Sequence, residues 1–164
     1  MKAAVIMGSI SDLPVLEKTI STLKSFGVEV EGHVLSAHRT PEQAHAFSAS
    51  AENNGIEVII AAAGKAAHLA GVLAAYTTLP VIGLPIKSST MDGLDSLLST
   101  VQMPPGIPVA TVAIDGGVNA ALLAVQILSL KYPELKPKLS EHKKDMAAKV
   151  LESDKTLQKE IDLI

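Results

Sequence analysis

Ala3-Ala4-Val5-Ile6-Met7 runs directly into Gly8-Ser9-Ile10-Ser11-Asp12, and this junction sets the reading of the whole chain. Five small or branched apolar residues ended by Gly-Ser read as a strand buried on both faces. Leu13, Leu16, Ile20 and Leu23 then recur at helical spacing, and Gly27 is placed to end that helix. The same junction returns twice downstream. Val28 to Leu35 precedes Ser36-Ala37-His38-Arg39-Thr40-Pro41, and Val58 to Ala62 precedes Gly64-Lys65-Ala66-Ala67-His68-Leu69-Ala70-Gly71. In a parallel α/β sheet, loops in this position gather at one edge and form the ligand crevice.

The remainder continues the alternation. Thr40-Pro41-Glu42-Gln43 reads as a helix start, with Thr as cap, Pro in the first turn and Gln three residues after the cap. That helix is expected to reach about Asn53, with Asn54-Gly55 as its stop. A short Ala-rich helix is expected over 66–76, a strand over 80–85, a helix over 93–101, and a turn at Met103-Pro104-Pro105-Gly106. Val109 to Ile114 reads as a fifth strand, and Asn119 as the cap of a helix ending at Tyr132-Pro133. Five strands alternating with helices predict a three-layer, doubly wound parallel sheet of flavodoxin-like order 2-1-3-4-5. That order puts the topological switch between strands one and three, where the Ser9 and His68 loops meet. Residues 1–133 form the expected catalytic domain. Residues 134–164 read as a helical extension of it, with Leu135, Leu139, Met146, Val150, Leu157 and Ile161 roughly at helical spacing. The extension fits either a solvated helix on its own domain or an arm on a neighbouring subunit.

The bulk numbers bound the function. A chain of 164 residues, 48% hydrophobic and with a mean hydropathy of +0.33, can bury a real core in one domain. Aromatics are 2% and Trp is absent, so small aliphatics fill that core. The net charge of −3 and the lack of a basic run argue against nucleic acid as a partner. With no cysteine, thiolate metal sites, disulfides and cysteine nucleophiles are excluded. Residues 1–7 lack the form of a signal peptide, and no apolar stretch reaches the roughly 18 residues of a membrane span. The expectation is a cytoplasmic protein without a membrane segment.

The three loops carry the candidate chemistry. Ser9, Ser11 and the amides before a helix start can hold a phosphate. Asp12 would oppose a phosphate bound close to it and suits ribose hydroxyls better. Taken alone, the loop is a weak signal and reads better as a helix cap by Ser11 or Asp12. Arg39 presents a fork of donors suited to phosphate or carboxylate. Histidine is the side chain suited to giving or taking a proton near neutrality, and His38 can serve in that way. Surface roles for both stay open on the residues alone. Gly64 and Gly71 bracket His68 and permit a ligand to approach the backbone closely, although a histidine in an Ala-rich, otherwise apolar segment is more often a satisfied core residue than a catalyst. His33, His45 and His142 lack such surroundings and read as structural or exposed.

Ser36-Ala37-His38-Arg39-Thr40-Pro41, with Met7-Gly8-Ser9 upstream and Ala66-Ala67-His68-Leu69 downstream, resembles the N5-carboxyaminoimidazole ribonucleotide mutase family (PurE, bacterial class I). This is the catalytic subunit type also described as phosphoribosylaminoimidazole carboxylase. The likeness continues through Leu79-Pro80-Val81-Ile82-Gly83, Gly93-Leu94-Asp95-Ser96-Leu97-Leu98-Ser99, Val101-Gln102-Met103-Pro104 and Asn119-Ala120-Ala121-Leu122-Leu123-Ala124. It spans roughly residues 4–130. The resemblance implies a homo-octamer without metal or organic cofactor, acting on a small ribonucleotide and linked functionally to a carbamate-forming, ATP-dependent synthetase. The implied reaction, a step of purine biosynthesis, moves a carboxylate from a carbamate nitrogen to ring carbon 4. It puts Ser9, Asp12 and Arg39 on substrate-binding positions, with Ser36 near the phosphate. Ser11, Gly64, Lys65 and Ala66 join the expected substrate contacts. His38 falls on the proton-transfer position and His68 on a second active-site histidine. Small residues at Gly64, Ala66 and Ala67 are expected to leave room for CO2.

Three residues depart from the family pattern: Lys65 where Gly is frequent, Ala70 where Pro is frequent, and Asp115 where many relatives carry a neutral residue. A related carboxylase takes CO2 directly. Its sequences tend to have Lys where Arg39 stands and to lack Ala-Ala-His-Leu, so both features favour the mutase. A flavin-binding or receiver module is the alternative from another class. Scarce aromatics weigh against the flavin site, and Ala63-Gly64 stands where a receiver needs an aspartate.

Overall fold

The computed structural model describes residues 1–163. Its core is a five-stranded, all-parallel sheet of order β2-β1-β3-β4-β5. The strands are β1 (Lys2–Met7), β2 (Glu29–Val34), β3 (Val58–Gly64), β4 (Val81–Ile86) and β5 (Ala110–Thr111). The helices are α1 (Leu13–Ser25), α2 (Pro41–Ser50), α3 (Leu69–Ala74), α4 (Leu94–Val101), α5 (Gly117–Leu128) and α6 (Leu135–Ile161). The alternation along β1 sorts the core into two layers. Ala3, Val5 and Met7 face Leu16 and Leu23 of α1, Ala124 and Val125 of α5, and Leu135 of α6. Ala4 and Ile6 face Ala44 of α2 and Leu69 and Leu73 of α3. Burial of such runs from water is the main stabilising contribution.

Two glycines let helices lie close to their neighbours. A Cβ on Gly83 would collide with Thr100 Cγ2, so only glycine allows α4 to settle on β4. A Cβ on Gly117 would stand 2.5 Å from Thr19 Oγ1, where α5 crosses α1.

Four local expectations are revised. The fifth strand is two residues long, not six. Gly83 and Pro85 turn the same edge toward β5, their carbonyls accepting from the Val112 and Asp115 amides. Proline has no N–H to return, so the ladder ends there. The third helix begins at Leu69, leaving 66–68 as a turn closed by a His68 N–H to Ala66 O bond of 2.9 Å. The α5 helix starts at Gly117, which puts Asn119 inside its first turn. Thr40 does precede α2, but its hydroxyl makes no cap bond. It donates to Ser36 O (3.2 Å) and accepts the Ser36 N–H (2.8 Å) instead.

The last helix, α6, has 27 residues and is about 40 Å long. Leu135 is buried, and Leu139 and His142 are half-buried. Every described residue from 143 onward is exposed. No helix among the described residues is long and apolar enough to cross a membrane.

Candidate active site

Four successive strand ends open into one cleft of about 600 Å³ at the carboxyl edge of the sheet. The end of β1 contributes Gly8, Ser9, Ser11 and Asp12. The end of β2 contributes Ser36, Ala37, His38 and Arg39, and the end of β3 contributes Ala63 to Ala66. The switch between β1 and β3 lies inside this cleft, as the strand order requires.

Each loop holds itself open. The Ser9 hydroxyl accepts the Ser11 N–H (3.3 Å) and the Ser11 hydroxyl (2.9 Å), tying the short turn that enters α1. The Ser36 hydroxyl accepts the Arg39 N–H at 3.1 Å, while Thr40 closes the same turn from the other side. The threonine that reads as a helix cap therefore shapes the loop presenting His38 and Arg39. The Arg39 guanidinium donates to Gly8 O at 3.2 Å, which locks the β2 loop to the end of β1.

His38 and His68 meet across that end. His38 Nε2 lies 2.9 Å from His68 Nδ1, with the rings nearly perpendicular at 85°. His38 lines the cleft, whereas His68 stands behind it as its partner. The contact joins loops from β2 and β3, the two strands that flank β1. Ala66 is on the wall, but Ala67, expected to leave room there, is buried and does not line the cleft.

Burial pushes the Asp12 carboxyl above the usual range, and the charge of Asp115 adds to this, against hydrogen bonds from Ser11 and the backbone of Ser9. Asp115 accepts the Lys87 N–H at 2.9 Å, and Lys87 Nζ pairs with Asp92 at 3.1 Å. This last loop, from β4, was missed in the sequence. Lys87, Ser88 and Ser89 line the cleft. Their signal was present: a polar run directly after an apolar strand, the same junction that marks the other three loops. The remaining histidines lie elsewhere. His33 bonds Glu31 at 2.9 Å, His45 stacks on Tyr76 and His142 packs on Phe26.

Known proteins resemble this chain in sequence and in fold. The family model described as AIR carboxylase matches residues 2–149. The chain is 63% identical over 145 residues to a Pyrococcus abyssi protein named N5-carboxyaminoimidazole ribonucleotide mutase, covering 88% of this chain and 83% of that one. A Pyrococcus horikoshii protein of the same name is 60% identical over 154 residues, covering 94% and 87%. The crystal structure of Treponema denticola PurE superposes with a TM-score of 0.84 at 31% identity, covering 95% of this chain and 98% of that one.

Proposed function

The chain belongs to the AIR carboxylase family, and we propose that it interconverts N5-carboxyaminoimidazole ribonucleotide and 4-carboxy-5-aminoimidazole ribonucleotide in purine biosynthesis. The observation that carries this reading is the His38–His68 contact on the wall of a cleft that also presents Arg39 and two serines.

The reaction balances on one proton. The carbamate N–C bond breaks, the nitrogen gains a proton and CO2 is released. Ring carbon 4 attacks that CO2, and the tetrahedral carbon then loses its proton to restore aromaticity. One proton is given and one is taken, so a single histidine can end in its starting state. His38 takes that role, and the bond to His68 sets its form. When His68 Nδ1 donates, neutral His38 carries its proton on Nδ1 and is an acid there. When His38 Nε2 donates, Nδ1 is bare and is a base. Such general acid–base catalysis is typically worth about 10²–10⁴-fold. Holding CO2 against carbon 4 is a proximity effect.

Ser9, Ser11 and Arg39 bind the phosphate, with Ser36 beside them. Asp12 meets the ribose hydroxyls, and Gly64, Lys65 and Ala66 form the facing wall. No step of this reading calls on a metal or an organic cofactor. Arg39 and the Ala66-Ala67-His68-Leu69 motif favour the mutase over direct CO2 use. The test labels the carbamate carboxyl with carbon-13 in excess unlabelled bicarbonate. Retention of label in the product is expected. Loss to the pool, with fast product formation from aminoimidazole ribonucleotide and bicarbonate alone, identifies the direct carboxylase instead.

The working form is a cytoplasmic homo-octamer fed by a carbamate-forming, ATP-dependent synthetase. Two uncovered apolar stripes favour assembly: Leu94, Leu98 and Val101 on α4, and Met146, Val150, Leu157 and Ile161 on α6. Light scattering that returns a 17.1 kDa particle at micromolar concentration breaks this part of the reading.

A further inference from the structure

Lys65 is the cleft residue whose identity the fold does not explain. Its φ of +57° lies in the left-handed region, where a side chain is disfavoured and glycine is free. The side chain is exposed and makes no hydrogen bond or ion pair among the described residues. Only its backbone carbonyl is engaged, accepting from Ser99 Oγ at 3.5 Å. Glycine would supply that carbonyl without strain. Lys87, the other lysine of the cleft, is by contrast tied to Asp92 through Nζ and to Asp115 through its N–H. A strained residue with an unengaged charge in a ligand cleft points to the ligand.

The strand order says where that charge sits. β1 lies between β2 and β3, so the Ser9–Ser11 turn is flanked by Arg39 on one side and Lys65 on the other. The same turn carries Asp12, whose carboxyl feels the charge of Asp115. A phosphate on this turn therefore has the Asp12 carboxyl beside it, which repels an anion when charged. Resting on the ribonucleotide reading above, we infer that Lys65 is the second cation of a phosphate clamp. It closes on the ligand's phosphate from the β3 side while Arg39 closes from the β2 side, offsetting Asp12.

The test uses the full chain and two probes: inorganic phosphate, read by calorimetry, and the carbamate ribonucleotide, read by turnover. In Lys65→Gly, phosphate affinity and KM should each worsen by roughly fivefold, as for an exposed charge pair. The ionic-strength dependence of KM should flatten. The kcat should stay within about twofold. The thermal midpoint should hold or rise, since glycine relieves the backbone. Lys65→Arg should restore phosphate affinity. Unchanged phosphate affinity and KM in Lys65→Gly overturn the clamp, as does a loss confined to kcat. Phosphate binding needs no turnover. A parent protein without mutase activity would unseat the proposed reaction and leave the clamp measurable.

Discussion

The two ends of the sheet carry clefts of nearly equal size, about 600 Å³ at the carboxyl end and about 560 Å³ at the amino end. They differ in what their charged groups are doing. At the amino end, the Glu57 carboxylate accepts from Lys131 Nζ (2.6 Å), the Tyr132 hydroxyl (3.0 Å) and the Lys2 N–H (3.3 Å). Every strong group has a partner in the protein. At the carboxyl end, Arg39 donates to a backbone carbonyl, Lys65 to nothing among the described residues, and the two histidines engage each other. Volume does not tell a site from a structural recess; unspent hydrogen-bonding capacity does.

Substitutions at the two ends should therefore separate activity from stability. The largest effect belongs to His38→Asn, which should lower turnover by about 10²-fold or more and leave ligand binding within a few-fold. Near-normal turnover would remove His38 from the chemistry. Next is Arg39→Ala, which should weaken nucleotide binding by roughly 10–100-fold and the dephosphorylated nucleoside far less. Equal losses for both ligands would contradict the phosphate assignment.

Asp12→Asn sharpens the contrast, because it should move activity and stability in opposite directions. Its raised pKa means that the stability tied to its protonated form is present below the ordinary aspartate range. That stability is lost as pH rises through the folded value. Near neutrality the charged Asp12 costs stability, so Asn should raise the thermal midpoint slightly while weakening nucleotide binding. A midpoint that falls would show that Asp12 supports the fold.

Glu57→Gln should give the smallest change, and only in stability. Burial alone would push Glu57 up, but hydrogen bonds from Lys131, Tyr132 and the Lys2 N–H outweigh it and hold the carboxyl below the usual range. Its contribution is therefore present above the ordinary glutamate range and lost as pH falls through the depressed value. At neutral pH the variant should melt lower by roughly 2–4 °C with unaltered kinetics. The difference from the parent should vanish in acid. Altered kinetics would mean that the two ends communicate.

Most of the fold was legible because its signals are local. The runs through Val5, Ile60 and Ile82 are apolar without break, and each ends in glycine or proline punctuation. Three of the four site loops were legible for the same reason. What escaped depends on contacts between elements. The truncation of β5 is caused by Pro85, a residue of the neighbouring strand. The role of Thr40 depends on Ser36 folding back over it. The placement of His68 behind His38 needs two loops to meet across the end of β1, which no spacing in the chain encodes. Lys87-Ser88-Ser89 obeyed the rule used for the other loops but carried no histidine or arginine to draw the eye.

One consequence of the uncovered half of α6 is thermodynamic. A mixed-charge helix of some twenty residues standing free in water is marginal, and nothing within its own chain holds residues 143–161. If a second copy covers the stripe of Met146, Val150, Leu157 and Ile161, ordering that segment and associating become a single equilibrium. Diluting the protein should then lower its helical circular dichroism in step with its mass, and the melting temperature should depend on concentration.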